Sequence, residues 1–133
     1  MVSSVVSTLA INGDRLMAMI RQLAQLGALP NGGVQRLAFS EADCQARTLV
    51  SGWMVEAGMT VQTDPAGNLI GRYAGRFDDA PPLMTGSHID TVPNAGHYDG
   101  TYGVLAGIAV VAALSSQGRH LDHPLEVVVF ADE

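Results

Sequence analysis

The stretch GSHIDTVPNAGHYDG, residues 86–100, places His88, Asp90, His97 and Asp99 within fifteen positions and contains no Lys, Arg or Glu. Further along, the apolar run LEVVVFA is followed at once by Asp132 and Glu133. Imidazole nitrogens and carboxylate oxygens together form a mixed N/O donor set that suits divalent cations. The same groups move protons near neutral pH. Metal binding with acid–base catalysis is therefore the chemistry to test against the rest of the chain.

For those residues to act together, the fold must bring them together. LMTG at 83–86 reads as a short buried strand. Residues 101–116 read as a helix, with Val104, Leu105, Ile108, Val111 and Ala112 on one side and Gly103 and Gly107 leaving room for close packing. LEVVVFA at 125–131 is a second buried strand, rich in β-branched residues. Strand, helix and strand in this order make a βαβ unit with parallel strands. His88 follows the first strand, Asp132 and Glu133 follow the second, and Asp99 precedes the helix. All of them reach the carboxyl edge of the sheet, where open α/β sheets place ligands.

His88 and Asp90 are two apart, so on extended backbone they share a face. The aspartate can then accept the second ring N–H and fix the tautomer of the imidazole. Taken singly, these residues have ordinary roles: a packed histidine, an aspartate capping a helix, a solvated acidic end. Their joint delivery to one edge is what points to half of a metal site. His97, two residues before Asp99, is an outlying candidate for metal contact, whereas His120 and His123 fall in a loop at the opposite edge.

Earlier elements complete an α/β reading. Residues 14–27 carry Leu16, Met19, Ile20, Leu23 and Leu26 at helical spacing, and PNGG at 30–33 ends that region. A second helix opens at Ser40, with Asp43 three residues on as in a capping box, and stops at Gly58. Its lone Cys44 reads as a buried, inert thiol. Residues 59–73, turning at PAG, read as a hairpin. The expected whole is a mixed, partly parallel sheet flanked by helices, in one domain over 1–133.

Bulk properties narrow the function. A formal charge of −6 disfavours a nucleic-acid or anionic-membrane partner. One cysteine fits a reducing compartment, and the N-terminal MVSSVVSTLAING lacks the basic and apolar regions of a signal peptide, so the expected location is cytoplasmic. Neither a phosphate-binding Gly-rich loop ending in Lys-Ser or Lys-Thr nor a G-x-S-x-G elbow is present. Ser87 and His88 are neighbours on extended chain and point apart, so they are no nucleophile–base pair.

GSHIDTVPNAGHYDG with VVFADE, together with GGVQRLAFSEAD at 32–43 and DPAGNLIGRYAG at 64–75, resembles the dinuclear-metal amidohydrolases. That family includes N-carbamoyl-L-amino-acid hydrolase, allantoate amidohydrolase and β-ureidopropionase, within the aminoacylase and carboxypeptidase superfamily. The short connection from Asp90 to Asp99 favours this branch over peptidase relatives. The resemblance implies a metal-dependent, aminopeptidase-like catalytic domain and hydrolysis of linear amide or ureido C–N bonds. N-carbamoyl-L-amino acids are the first substrate expectation; allantoate and N-carbamoyl-β-alanine are the alternatives.

By position the resemblance implies that His88 is a terminal metal ligand, Asp90 orients it, Asp99 bridges two divalent ions (Zn²⁺, Mn²⁺ or Co²⁺) and Glu133 is the general base. It also implies that the chain is the N-terminal portion of a larger homodimeric enzyme, without the next glutamate, two distal histidines, the lid domain and the second half of the catalytic domain. Alone, the chain is then expected to be inactive, with the 125–131 strand left as an open sheet edge. The reading from another class is a non-catalytic fragment or partner-binding module.

Overall fold

The computed structural model describes residues 8–133; the first seven residues of the segment read above for a signal peptide lie outside the described residues. Helix α1 spans Gly13–Ala24, α2 Glu41–Glu56, strands β1 Thr60–Thr63, β2 Leu69–Tyr73 and β3 Leu83–His88, helix α3 Thr101–Ser116 and strand β4 Leu125–Phe130.

Local signals explain most of these bounds. The Asn12 side chain accepts the Arg15 N–H and starts α1. That helix stops three residues short of the expected 27, because Gly27 takes φ +88° and the last carbonyls turn to a buried guanidinium described below. Ser40 Oγ accepts the Asp43 N–H at the head of α2. The Asp43 carboxylate reaches back one residue further than a capping box requires, to the Phe39 N–H at 3.0 Å. At the other end, Gly58 N–H bonds Val55 O and Met59 N–H bonds Met54 O, a Schellman closure around Gly58 at φ +99°.

The sheet order is β1-β2-β4-β3. β1–β2 and β2–β4 are antiparallel, whereas β3 runs parallel to β4 with Leu83 opposite Leu125 and His88 opposite Phe130. The mixed sheet and the βαβ unit are as expected from the sequence. β4 lies inside the sheet, with Val127, Val128 and Val129 all buried. Its 125–131 stretch is therefore not the open edge, because the hairpin folds back antiparallel onto it and leaves β3 outermost. β3 is correspondingly not a buried strand: Leu83 and Met84 are half or more exposed.

Helix α3 packs on β3 and β4, α2 on β1 and β2, and α1 on α3. Close approach depends on Gly107, where a Cβ would sit 3.1 Å from Thr85 Cγ2 and 3.2 Å from Val127. Ile20, Leu23, Val50, Met54, Leu105 and Val111 fill the space between helices and sheet. Each contributes roughly 1.5–3 kcal/mol by leaving water. Cys44 is exposed rather than buried. It lies on the outer side of α2, whose core face is Asp43, Ala46, Val50, Trp53 and Met54.

Candidate metal and catalytic site

The parallel register sets His88 beside Phe130, so both strands deliver their following residues to one edge. The imidazole is largely buried. Its Nδ1 lies 2.8 Å from the backbone carbonyl of Asp90. A carbonyl oxygen only accepts, so Nδ1 carries a proton, and in the neutral ring Nε2 presents its lone pair. That lone-pair nitrogen faces Asp99 Oδ1 and Glu133 Oε2, each 3.9 Å away.

Three details set this arrangement. Gly100 has φ +68°, and a Cβ there would fall 2.5 Å from His88 Cε1, Nε2 and O. Only glycine lets the chain pass so close to the ring. Gly100 is itself the N-cap of α3, with no side-chain cap bond. The Asp99 carboxylate is thus not spent on capping and stands largely exposed beside the helix N-terminus. On the other strand, Asp132 takes φ +58°, a left-handed conformation that aspartate tolerates, and so turns Glu133 back toward the histidine.

Asp90 is buried, and its carboxylate is 3.9 Å from His88 Nδ1. Its closer partner is the Glu133 backbone N–H, which donates to Oδ2 at 3.2 Å. One residue therefore orients the imidazole through its carbonyl and holds the glutamate loop through its side chain. His97 is turned away to Gly32 O at 2.8 Å, where it ties the Asp90–Asp99 connection to the PNGG turn. Asn31 and Asn94 make a second tie there. His120 and His123 bind the carbonyls of Ala74 and Pro81 at the far edge.

As they stand, these groups are slightly too far apart to share one cation. Ligands on one ion with bonds of about 2.0–2.2 Å stand roughly 3–3.5 Å apart. The 3.9 Å separations around Nε2 need only a small closure. Among the described residues, no three His, Cys, Asp or Glu groups are already gathered at coordinating distance. One lone-pair nitrogen and two accessible carboxylates form a partial N/O donor set, which suits Zn²⁺, Mn²⁺ or Co²⁺.

Two residues that sequence reasoning missed support the site. Arg36 is 1% exposed; its Nε donates to Ile89 O and its own carbonyl accepts the Thr91 N–H, so it holds the backbone on either side of Asp90. The signal was present: it is the one charged residue between Arg21 and Glu41. Asn68 Oδ1 accepts the Ala131 N–H at 2.9 Å and fixes the chain as it leaves β4. Nothing in its DPAGN turn pointed to that role.

No protein-family model matches the chain. It is 49% identical over 126 residues to the N-carbamoyl-L-amino-acid amidohydrolase of a Pseudomonas species, covering 95% of the chain and 30% of that protein. The enzyme of the same name from Geobacillus stearothermophilus is 46% identical over 123 residues, covering 92% of the chain and 30% of the relative. Arabidopsis thaliana allantoate deiminase is 36% identical over 126 residues, covering 93% and 24%. Among solved structures, an amidase of the hydantoinase/carbamoylase family from Burkholderia multivorans superposes with a TM-score of 0.93 at 43% identity, covering 96% of this chain and 31% of that one. Aminopeptidase PepT from Bacillus cereus shares the fold alone, with a TM-score of 0.70 at 18% identity over 91% of this chain and 37% of its own. The chain thus spans about 30% of the length of the curated carbamoyl hydrolases it matches.

Proposed function

The chain is a homologue of the hydantoinase/carbamoylase amidohydrolases over nearly its whole length, and from that premise we infer that the intact protein carrying it hydrolyses N-carbamoyl-L-amino acids. The observation that carries the reading is the convergence of His88 Nε2, Asp99 and Glu133 at the carboxyl edge of β3 and β4.

In this reading His88 Nε2 is a terminal metal donor, held by the Asp90 carbonyl. The Asp99 carboxylate, exposed at the mouth of the site, would help to hold the two divalent cations. Two such ions, when bound, supply Lewis-acid activation of the ureido carbonyl and of the attacking water. The Glu133 carboxylate takes a proton from the water and returns one to the leaving nitrogen. The C–N bond breaks, a water adds across it, and the charges balance. Asp90 keeps the Glu133 backbone in place through its bond to the N–H. A cytoplasmic homodimer acting on a small ureido substrate completes the proposal.

Two cations need more donors than the His88 imidazole and the Asp99 carboxylate, so the 133-residue chain alone is proposed to be inactive. Turnover of N-carbamoyl-L-amino acids, allantoate, N-carbamoyl-β-alanine, N-acetyl amino acids and dipeptides by the intact protein, with added Mn²⁺ or Co²⁺, tests the reading. Preference for the first group supports it; preference for allantoate or N-carbamoyl-β-alanine moves the substrate within the branch. Turnover of dipeptides alone overturns it. Tight binding of two metals with ureido hydrolysis by the isolated chain would overturn the proposed inactivity.

A further inference from the structure

Arg36 is almost wholly buried, yet nothing in the hydrolytic chemistry uses it. Its Nη1 donates to Leu23 O at 3.0 Å and Leu26 O at 2.7 Å, at the C-terminal end of α1. Its Nε donates to Ile89 O at 2.8 Å. Its backbone pairs with Thr91 in both directions: Arg36 N–H to Thr91 Oγ1 at 2.8 Å and Thr91 N–H to Arg36 O at 2.7 Å. Residues 89 and 91 are therefore both fastened to one side chain and its own peptide. Between them stands Asp90, whose carbonyl takes the His88 Nδ1 proton and whose carboxylate takes the Glu133 N–H.

A guanidinium is suited to this task. Its donors diverge in a rigid plane, so one group can hold two helix-end carbonyls and a loop carbonyl at once. An ammonium is a single point and cannot span them. The helix C-terminus offers negative dipole to a cation, which offsets part of the cost of burying it. Burial weakens its hold on the proton, while Asp43 and Asp90 act in the opposite sense.

We propose that Arg36 is a positioning residue for the metal site: by clamping Ile89 and Thr91 to the end of α1, it fixes the Asp90 carbonyl and so the Nδ1–H tautomer and aim of His88. The proposal rests on the amidohydrolase reading for its consequence in catalysis, but its geometry does not depend on the substrate.

The test uses the intact protein carrying this sequence and three variants: Arg36→Lys, Arg36→Met and Thr91→Val. Thr91→Val keeps the guanidinium and removes the hydroxyl that accepts the Arg36 N–H and donates weakly to Val34 O. Ring ¹⁵N–¹H spectra report the His88 tautomer, and competition with a chelator reports Zn²⁺ affinity. Arg36→Lys should fold cooperatively, yet show His88 exchanging between tautomers and an affinity about 10–100-fold lower, the usual cost of losing support behind a ligand. Thr91→Val should show the same changes in smaller degree. The proposal is overturned if Arg36→Lys and Thr91→Val keep the wild-type tautomer and affinity, whatever happens to thermal stability or to the folding of Arg36→Met. Neither measurement requires turnover, so failure of the substrate assignment and failure of this proposal are separate results.

Discussion

The Nδ1 of His88 is bonded to the backbone carbonyl of Asp90 at 2.8 Å, while the Asp90 carboxylate stands 3.9 Å from the same atom. Orientation of the imidazole thus survives loss of the aspartate side chain, provided the backbone stays in place. The carboxylate serves the other strand, through its 3.2 Å bond from the Glu133 N–H.

This division separates two substitutions at position 90. Asp90→Asn keeps an oxygen to accept the Glu133 N–H, whereas Asp90→Ala removes it. In the intact protein Asp90→Ala should lower kcat by about 10–100-fold and Asp90→Asn by less. Steady-state kinetics on both variants check the order. Equal losses would mean that charge, not the acceptor, is what matters.

His88→Ala should remove a donor to one cation, and Asp99→Ala should disturb both. Each is expected to reduce activity by orders of magnitude. Metal analysis after dialysis distinguishes them: about one equivalent lost for His88→Ala and depletion of both for Asp99→Ala. Two full equivalents retained in Asp99→Ala would refute the bridging role.

Gly100→Ala places a Cβ 2.5 Å from the His88 ring and carbonyl, on a backbone at φ +68°. This backbone, at φ +68° and ψ −49° under the Thr101 N–H to Asp99 O bond, costs roughly 1–3 kcal/mol for a residue with a side chain. Thermal unfolding should show at least that loss, and bound metal should fall with it. A variant with wild-type stability and metal content would mean that the loop relaxes without moving the histidine.

Burial raises the Asp43 carboxyl above its ordinary range, against the lowering effects of the Phe39 N–H and of Arg47 and Arg36. The folded state therefore binds this proton more tightly than the unfolded state. Its contribution is present below about pH 4, the ordinary carboxyl value, and is lost as pH rises through the raised value. Asp43→Asn retains an oxygen for the Phe39 N–H and does not titrate. Melting curves of both proteins from acid to neutral pH should show wild type losing ground to Asp43→Asn as pH rises. A constant difference would contradict the shift.

The sequence by itself determined the parts that depend on near neighbours. Helical spacing marked α1 and α2, the β-branched run marked β4, and Gly58 marked the end of α2, whereas the stop of α1 before Gly27 was not foreseen. The β3–α3–β4 order determined that His88, Asp99 and Glu133 would share an edge, because parallel strands with a helical crossover end on the same side. Only the tertiary structure decided which strand is outermost, because a hairpin can pair with either side of a sheet. It alone assigned Asp90's carbonyl to His88 and its carboxylate to Glu133, and turned His97 to Gly32 across 65 residues. It also buried Arg36 beneath Ile89, 53 residues away. A hydrogen bond is directional and acts over about 3 Å. Its partner is set by how the helices and sheet finally pack, and neither residue spacing nor residue type carries that information.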